Sequence, residues 1–117
     1  MSRIVAITGA TGFAGRHALS ELEAKGYRLR ALVRQPERAG LSSSIETVKG
    51  DLSSPQALKQ LLTGADAVIH LAGALTGLNR EDYFRVNQAG TEALVKEALA
   101  QGIRRFVHIS SLAAREP

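Results

Sequence analysis

A β-branched apolar run at residues 3–8 (RIVAIT) passes directly into three evenly spaced glycines, Gly9, Gly12 and Gly15. Such a run is too short for a helix and too apolar for a half-exposed strand, so it reads as a strand buried on both faces. Residues 12–25 follow with helical spacing: Ala14, Ala18 and Leu22 share one face, and Gly26 supplies the stop. A buried strand that turns through glycines into an amphipathic helix is half of a parallel β-α-β unit.

The rest of the chain repeats the alternation. Residues 28–34, 45–49, 67–71 and 105–109 are further short apolar runs and predict strands. Ser54 and Pro55 open a second long helical pattern as N-cap and first helical residue, Leu58, Leu61 and Leu62 give its buried stripe, and Gly64 closes it. Residues 81–101 predict a long helix with acids in its first turn, Gly102 at its end, and Phe84, Asn87, Thr91, Leu94 and Ala98 inward. Residues 34–44 are too short and polar to promise a full helix, and 73–80 read as the next loop. The expectation is an α/β fold of the Rossmann type over residues 1–117: a doubly wound parallel sheet of order 3-2-1-4-5, in three α/β/α layers. In that order the chain reverses direction across the sheet between strands one and four, and ligands of open α/β sheets bind at such a gap.

Five candidate features follow the C-terminal ends of predicted strands. In the first, Gly9 takes the turn out of strand one, Gly12 has no Cβ to keep a pyrophosphate from backbone N–H groups, and Gly15 lets the helix approach the sheet. The loop Gly9, Thr11, Gly12, Phe13, Ala14 and Gly15 is therefore the predicted diphosphate cradle, aided by the positive end of the helix. Second, strand two ends in Arg34, with Arg38 beyond it, where an NAD site would carry an acid for the ribose 2′-hydroxyl. A guanidinium there can pair with a 2′-phosphate, which favours NADP over NAD; Arg16 could assist, and a solvated strand end is the competing reading. Third, Asp51 is placed to accept from an adenine amino group with Leu52 flanking the ring, or else simply starts a turn. Fourth, Leu71, Ala72 and Gly73 offer a small-residue surface for a flat nucleotide. Fifth, Ser110 and Ser111 follow strand five, where a hydroxyl could orient a substrate carbonyl. Asn87 needs a partner if buried; it either supports the site or ties the long helix to the loop after strand four.

The ordered segments TGATGFAG, ALVRQPER, KGDLSSPQAL, GADAVIHLAG, VNQAGT and RFVHISSLAA resemble the extended or atypical short-chain dehydrogenase/reductases, most of all the NAD-dependent epimerase/dehydratase group. The resemblance covers essentially the whole chain and says little about substrate. It implies that Gly9, Gly12 and Gly15 bind pyrophosphate, Arg34 the adenosine ribose or its phosphate, and Asp51 and Leu52 the adenine. Ala72 and Gly73 would line the adenine–ribose side. Ser111 matches the catalytic serine of that family, with Ser110 as the register alternative. The family also needs a Tyr and a Lys four residues later. Neither Tyr27 nor Tyr83 has a Lys at that spacing, so a truncated chain that binds cofactor without turnover is expected. The implied activity is hydride transfer between nicotinamide and a carbinol or carbonyl carbon, with a small-molecule substrate. A non-catalytic dinucleotide sensor or scaffold is the alternative.

Composition narrows the field further. The net charge of +4 is dispersed, without a basic run or interleaved aromatics, which argues against a nucleic-acid partner. No apolar stretch approaches the roughly 18 residues that span a bilayer, and no signal-peptide pattern occurs, so no membrane partner and a cytoplasmic location are expected. With no cysteine, thiolate metal sites are excluded. His70 and His108 sit inside predicted strands as structural residues, and no metal site is predicted. An exposed fifth strand would invite pairing with a second copy.

Overall fold

The computed structural model describes residues 3–9, 13–72 and 80–110; the side chains of residues 13, 14, 38, 72, 80–87, 109 and 110 fall outside that description. Elements follow in the order β1 (Ile4–Thr8), α1 (Phe13–Ala24), β2 (Arg28–Val33), α2 (Pro36–Ala39), β3 (Glu46–Lys49), α3 (Pro55–Leu62), β4 (Ala67–Ala72), α4 (Arg80–Ala100) and β5 (Arg105–Ser110). The five strands form one sheet in the order β3-β2-β1-β4-β5. Every pairing is parallel, with Ile7 opposite Ala31 on one side and Ile69 on the other. The expected order and class are therefore the observed ones. Within this sheet β5 is an edge, and Val107 on it is 48% exposed.

Strand alternation divides the core into two layers. Val5, Ile7, Leu29 and Ala31 face Leu19 and Leu22 of α1. Ala6, Leu32, Val48 and Val68 face the other way, onto Leu58, Leu61 and Leu62 of α3 and Leu94 and Ala98 of α4. Leu61, Leu62 and Leu94 are fully buried, each contributing about 2 kcal/mol by leaving water. Helices thus cover both faces of a sheet whose middle strands are apolar on both sides, which is why β1 carries no polar alternation.

Several boundaries move by a residue or two. β2 stops at Val33 and leaves Arg34 exposed beyond it. The polar segment after it holds one turn of helix, α2. Ser54 occupies the N-cap position with an extended backbone and Pro55 begins α3, but the serine hydroxyl makes no capping bond; it is turned toward Asp51 instead. Arg30 is the largest surprise. It points into the structure at 9% exposure, pairs with Glu46 at 3.0 Å, and brings Nη1 to 2.6 Å from the Thr63 carbonyl and 3.0 Å from that of Leu61. A strand arginine thereby satisfies carbonyls at the C-terminal end of α3, where no intrahelical donor remains.

Candidate functional site: a nucleotide cradle at the sheet edge

The C-terminal ends of β1 and β4 lie side by side, with Thr8 opposite His70. Gly9 leaves β1 with φ +75°, a conformation that costs an L side chain strain. A Cβ placed on Gly9 would stand 2.3 Å from the Leu71 carbonyl oxygen and 2.9 Å from Leu71 Cβ. Two independent constraints, dihedral and space, therefore demand glycine here. Leu71, read as part of the cofactor surface, is the residue against which the turn is folded. Thr11, Gly12, Gly73 and Ser111 lie outside the described residues. Phe13 and Ala14 open α1, and Gly15 is buried in its first turn. Ala72 closes β4 with its register partner Ser110 closing β5, which puts the backbone of both at the same edge.

On the other side of β1, Arg34 is exposed at the end of β2 and no acid follows that strand before Glu37 of α2. Arg38 lies in α2 and its side chain is not described. The Gly50 N–H donates to the Val33 carbonyl at 2.9 Å, which holds the ends of β2 and β3 together. Asp51 Oδ1 accepts from the Ser53 N–H at 2.8 Å, the Ser53 hydroxyl at 2.5 Å and the Ser54 hydroxyl at 3.3 Å. The Ser53 hydroxyl and N–H, with help from Ser54 and the charge of Arg34, keep this carboxyl below its ordinary pKa. The turn-forming role weighed for Asp51 is thus present. Among the described residues its Oδ2 makes no hydrogen bond, and Asp51 as a whole is exposed. Leu52 packs on α4: a Cβ on Gly90 would lie 2.7 Å from Leu52 Cδ1. Asn87 lies on α4 one turn before Thr91, and its side chain is not described.

His70 joins the two halves of this edge. Its Nδ1 is 2.5 Å from Thr8 Oγ1 and its Nε2 is 2.9 Å from Thr91 Oγ1, while its ring stacks on His108 at 4.9 Å between centroids. Burial, and secondarily the neighbouring His108, pushes the His70 pKa down to about 4, so the ring is neutral near pH 7. The two strand histidines are neighbours across β4 and β5; the threonine partners of His70 were not foreseen. The signal available was that a buried strand histidine must find a partner for each ring nitrogen. Arg16 also differs from expectation. Its Nη2 donates to the Ala39 carbonyl at 2.6 Å, so at least one of its donors serves α2.

This arrangement gathers a glycine turn, an exposed arginine and an exposed carboxylate along one edge of the sheet. A model of the NAD(P)H-binding family matches residues 9–117. A ceramide reductase from Caulobacter vibrioides is 47% identical over 97% of this chain and 36% of its own length. Among solved structures, a short-chain dehydrogenase/reductase superfamily protein from Agrobacterium tumefaciens with bound NAD is 33% identical at TM-score 0.75, covering 91% of this chain and 32% of that one. A UDP-N-acetylglucosamine 4-epimerase from Bacillus cereus is 25% identical at TM-score 0.79, over 98% of this chain and 39% of its own. The chain thus spans about a third of the length of these relatives. With its Rossmann sheet, its glycine turn and these relatives, the chain belongs to the NAD(P)H-binding family and is similar to the amino-terminal part of short-chain dehydrogenase/reductases of the NAD-dependent epimerase-like kind.

Proposed function

We propose that the chain binds NADP(H) in preference to NAD(H), and that it is the cofactor-holding part of a reductase or dehydrogenase. The bound dinucleotide would supply hydride transfer at its nicotinamide to or from a carbinol or carbonyl carbon. The observation that carries the reading is the turn at Gly9, whose left-handed backbone and close approach to Leu71 admit only glycine where β1 ends. In this reading Gly9, Thr11, Gly12, Phe13, Ala14 and Gly15 donate backbone N–H groups to the diphosphate or allow its approach. Arg34, assisted by Arg38, faces the 2′-phosphate, and its exposure just past the end of β2, with no acid following in the chain before Glu37, supports this role. Asp51 offers its Oδ2 to the adenine amino group, with Leu52 against the ring. Leu71, Ala72, Gly73 and Asn87 line the remainder.

Ser111 is the residue proposed to hydrogen-bond the substrate oxygen. These 117 residues contain no Tyr-x-x-x-Lys pair that could donate a proton in that step, and the part assigned to them is to hold the cofactor. Fluorescence titration of the chain with NADPH and NADH tests the reading. NADPH should bind at least tenfold more tightly, and Arg34→Ala should remove that difference while leaving NADH unchanged. No binding of either cofactor would end the proposal. A preference for NADH, as the Agrobacterium protein's bound NAD allows for, would end its NADP part.

A further inference from the structure

Arg16 stands in the first turn of α1, directly after Gly15, and reaches the far end of α2. Its Nη2 donates to the Ala39 carbonyl at 2.6 Å, and Nη1 lies 3.5 Å from that of Gly40. Ala39 is the last residue of α2 and Gly40 is its left-handed cap, at φ 65° and ψ 27°. A helix of four residues does not sustain itself, and Gln35 at its start offers no side-chain cap. A guanidinium at the other end supplies the missing donors and a charge opposite to that of the helix terminus. A second tie runs from α1 to the same segment, where the Ser44 hydroxyl donates to the Glu23 carboxylate. Ala39 itself is 4% exposed. The segment that follows β2 is therefore fastened to α1 at its far end.

Arg34 hangs on the near end of that segment. Only Gln35 separates it from Pro36, whose ring fixes the entry into α2. Fixing the C-terminal carbonyls of α2 thus restricts the backbone that carries Arg34 and Arg38. Arg34 stands close enough to Asp51 for its charge to be felt there.

We propose that Arg16 is a positioning residue for cofactor choice: by latching Ala39 and Gly40 to α1 it holds Arg34 where a ribose 2′-phosphate is received. It acts through the segment and not by touching the phosphate. This rests on the reading of Arg34 given above. The geometry gives Arg16 a reason to be arginine that is separate from its nearness to the glycine turn, because the fork spans two adjacent carbonyls.

The test is a double-mutant cycle in the 117-residue chain, with NADPH and NADH dissociation constants and melting temperatures for wild type, Arg16→Ala, Arg34→Ala and the pair. Arg16→Ala should weaken NADPH about tenfold and change NADH by less than about twofold. In the Arg34→Ala background the same change should have no further effect on NADPH. Arg16→Lys, which keeps one donor and the charge, should recover part of the loss; if Arg16→Ala does not fold, this variant carries the comparison, with NADPH weakened and NADH intact. Additive losses in the pair would mean direct phosphate contact and would overturn the proposal. Equal loss of both cofactors with a lowered melting temperature would overturn it too, leaving Arg16 as a helix tie alone. If Arg34→Ala shifts the cofactor preference and Arg16→Ala does not, only the latch is refuted. If wild type does not distinguish the cofactors, the Arg34 reading fails, and the proposal with it.

Discussion

Acid should destabilise this chain through one residue in particular, His70. In the unfolded chain its imidazole takes up a proton near its ordinary value of 6.5; in the folded chain it does so only near about 4. Between those values the unfolded state binds the extra proton, so stability is complete above about pH 6.5 and falls as the pH drops through the window. The full displacement corresponds to about 3 kcal/mol at most. Water reaching the exposed His108 face screens the site, so about half of that is expected. Most of it should be gone by pH 4.5, while Asp51 loses its own contribution only below its ordinary value of 3.8, because its folded pKa is lowered. Urea unfolding at pH 7.5 and pH 4.5 isolates the histidine on these grounds. Wild type should lose about 1–2 kcal/mol more between the two than His70→Phe, which cannot titrate. The variant should start lower at pH 7.5, because it strands the Thr8 and Thr91 hydroxyls, at about 1 kcal/mol each. Identical pH dependence in the two proteins would show that the imidazole is not held neutral by its surroundings.

Gly9→Ala should cost at least about 1 kcal/mol from its left-handed backbone alone. Relief of the overlap with the Leu71 carbonyl then displaces the turn, so NADPH affinity should fall further than stability does, read by melting and titration on one sample. Arg30→Leu should destabilise by about 1–3 kcal/mol, because buried carbonyls at the end of α3 lose their donor. Glu46→Gln, on the solvent side of the same pair, should change urea stability by less than about 0.5 kcal/mol.

The strand order was legible because the middle strands carry their burial in their own letters. Val5, Ala6 and Ile7 are apolar on both faces, and only a middle strand needs that. Gly9 was legible for a similar reason, since a required dihedral is a property of one residue. Asp51 was legible only as an ambiguity: its partners Ser53 and Ser54 stand two and three positions away, so the turn can be read locally, whereas a bond to adenine has no local signature. The tie from Arg16 to α2 was not legible because its acceptors are backbone carbonyls 23 and 24 positions on, and any residue supplies a carbonyl. Arg30 escaped notice for the same reason, its acceptors lying 31 and 33 positions away. His70 could be marked as buried, but nothing in its neighbourhood names Thr8, 62 residues earlier.

Leu52 and Gly90 tie an outer helix to the turn that follows β3. A glycine in the middle of a 21-residue helix gives up about 1 kcal/mol of helix preference relative to alanine. What the molecule obtains is a notch in which Leu52 is seated directly behind Asp51. The Asp51 turn and α4 are thereby geared, so that rotating or sliding this helix would shift the turn that carries Asp51.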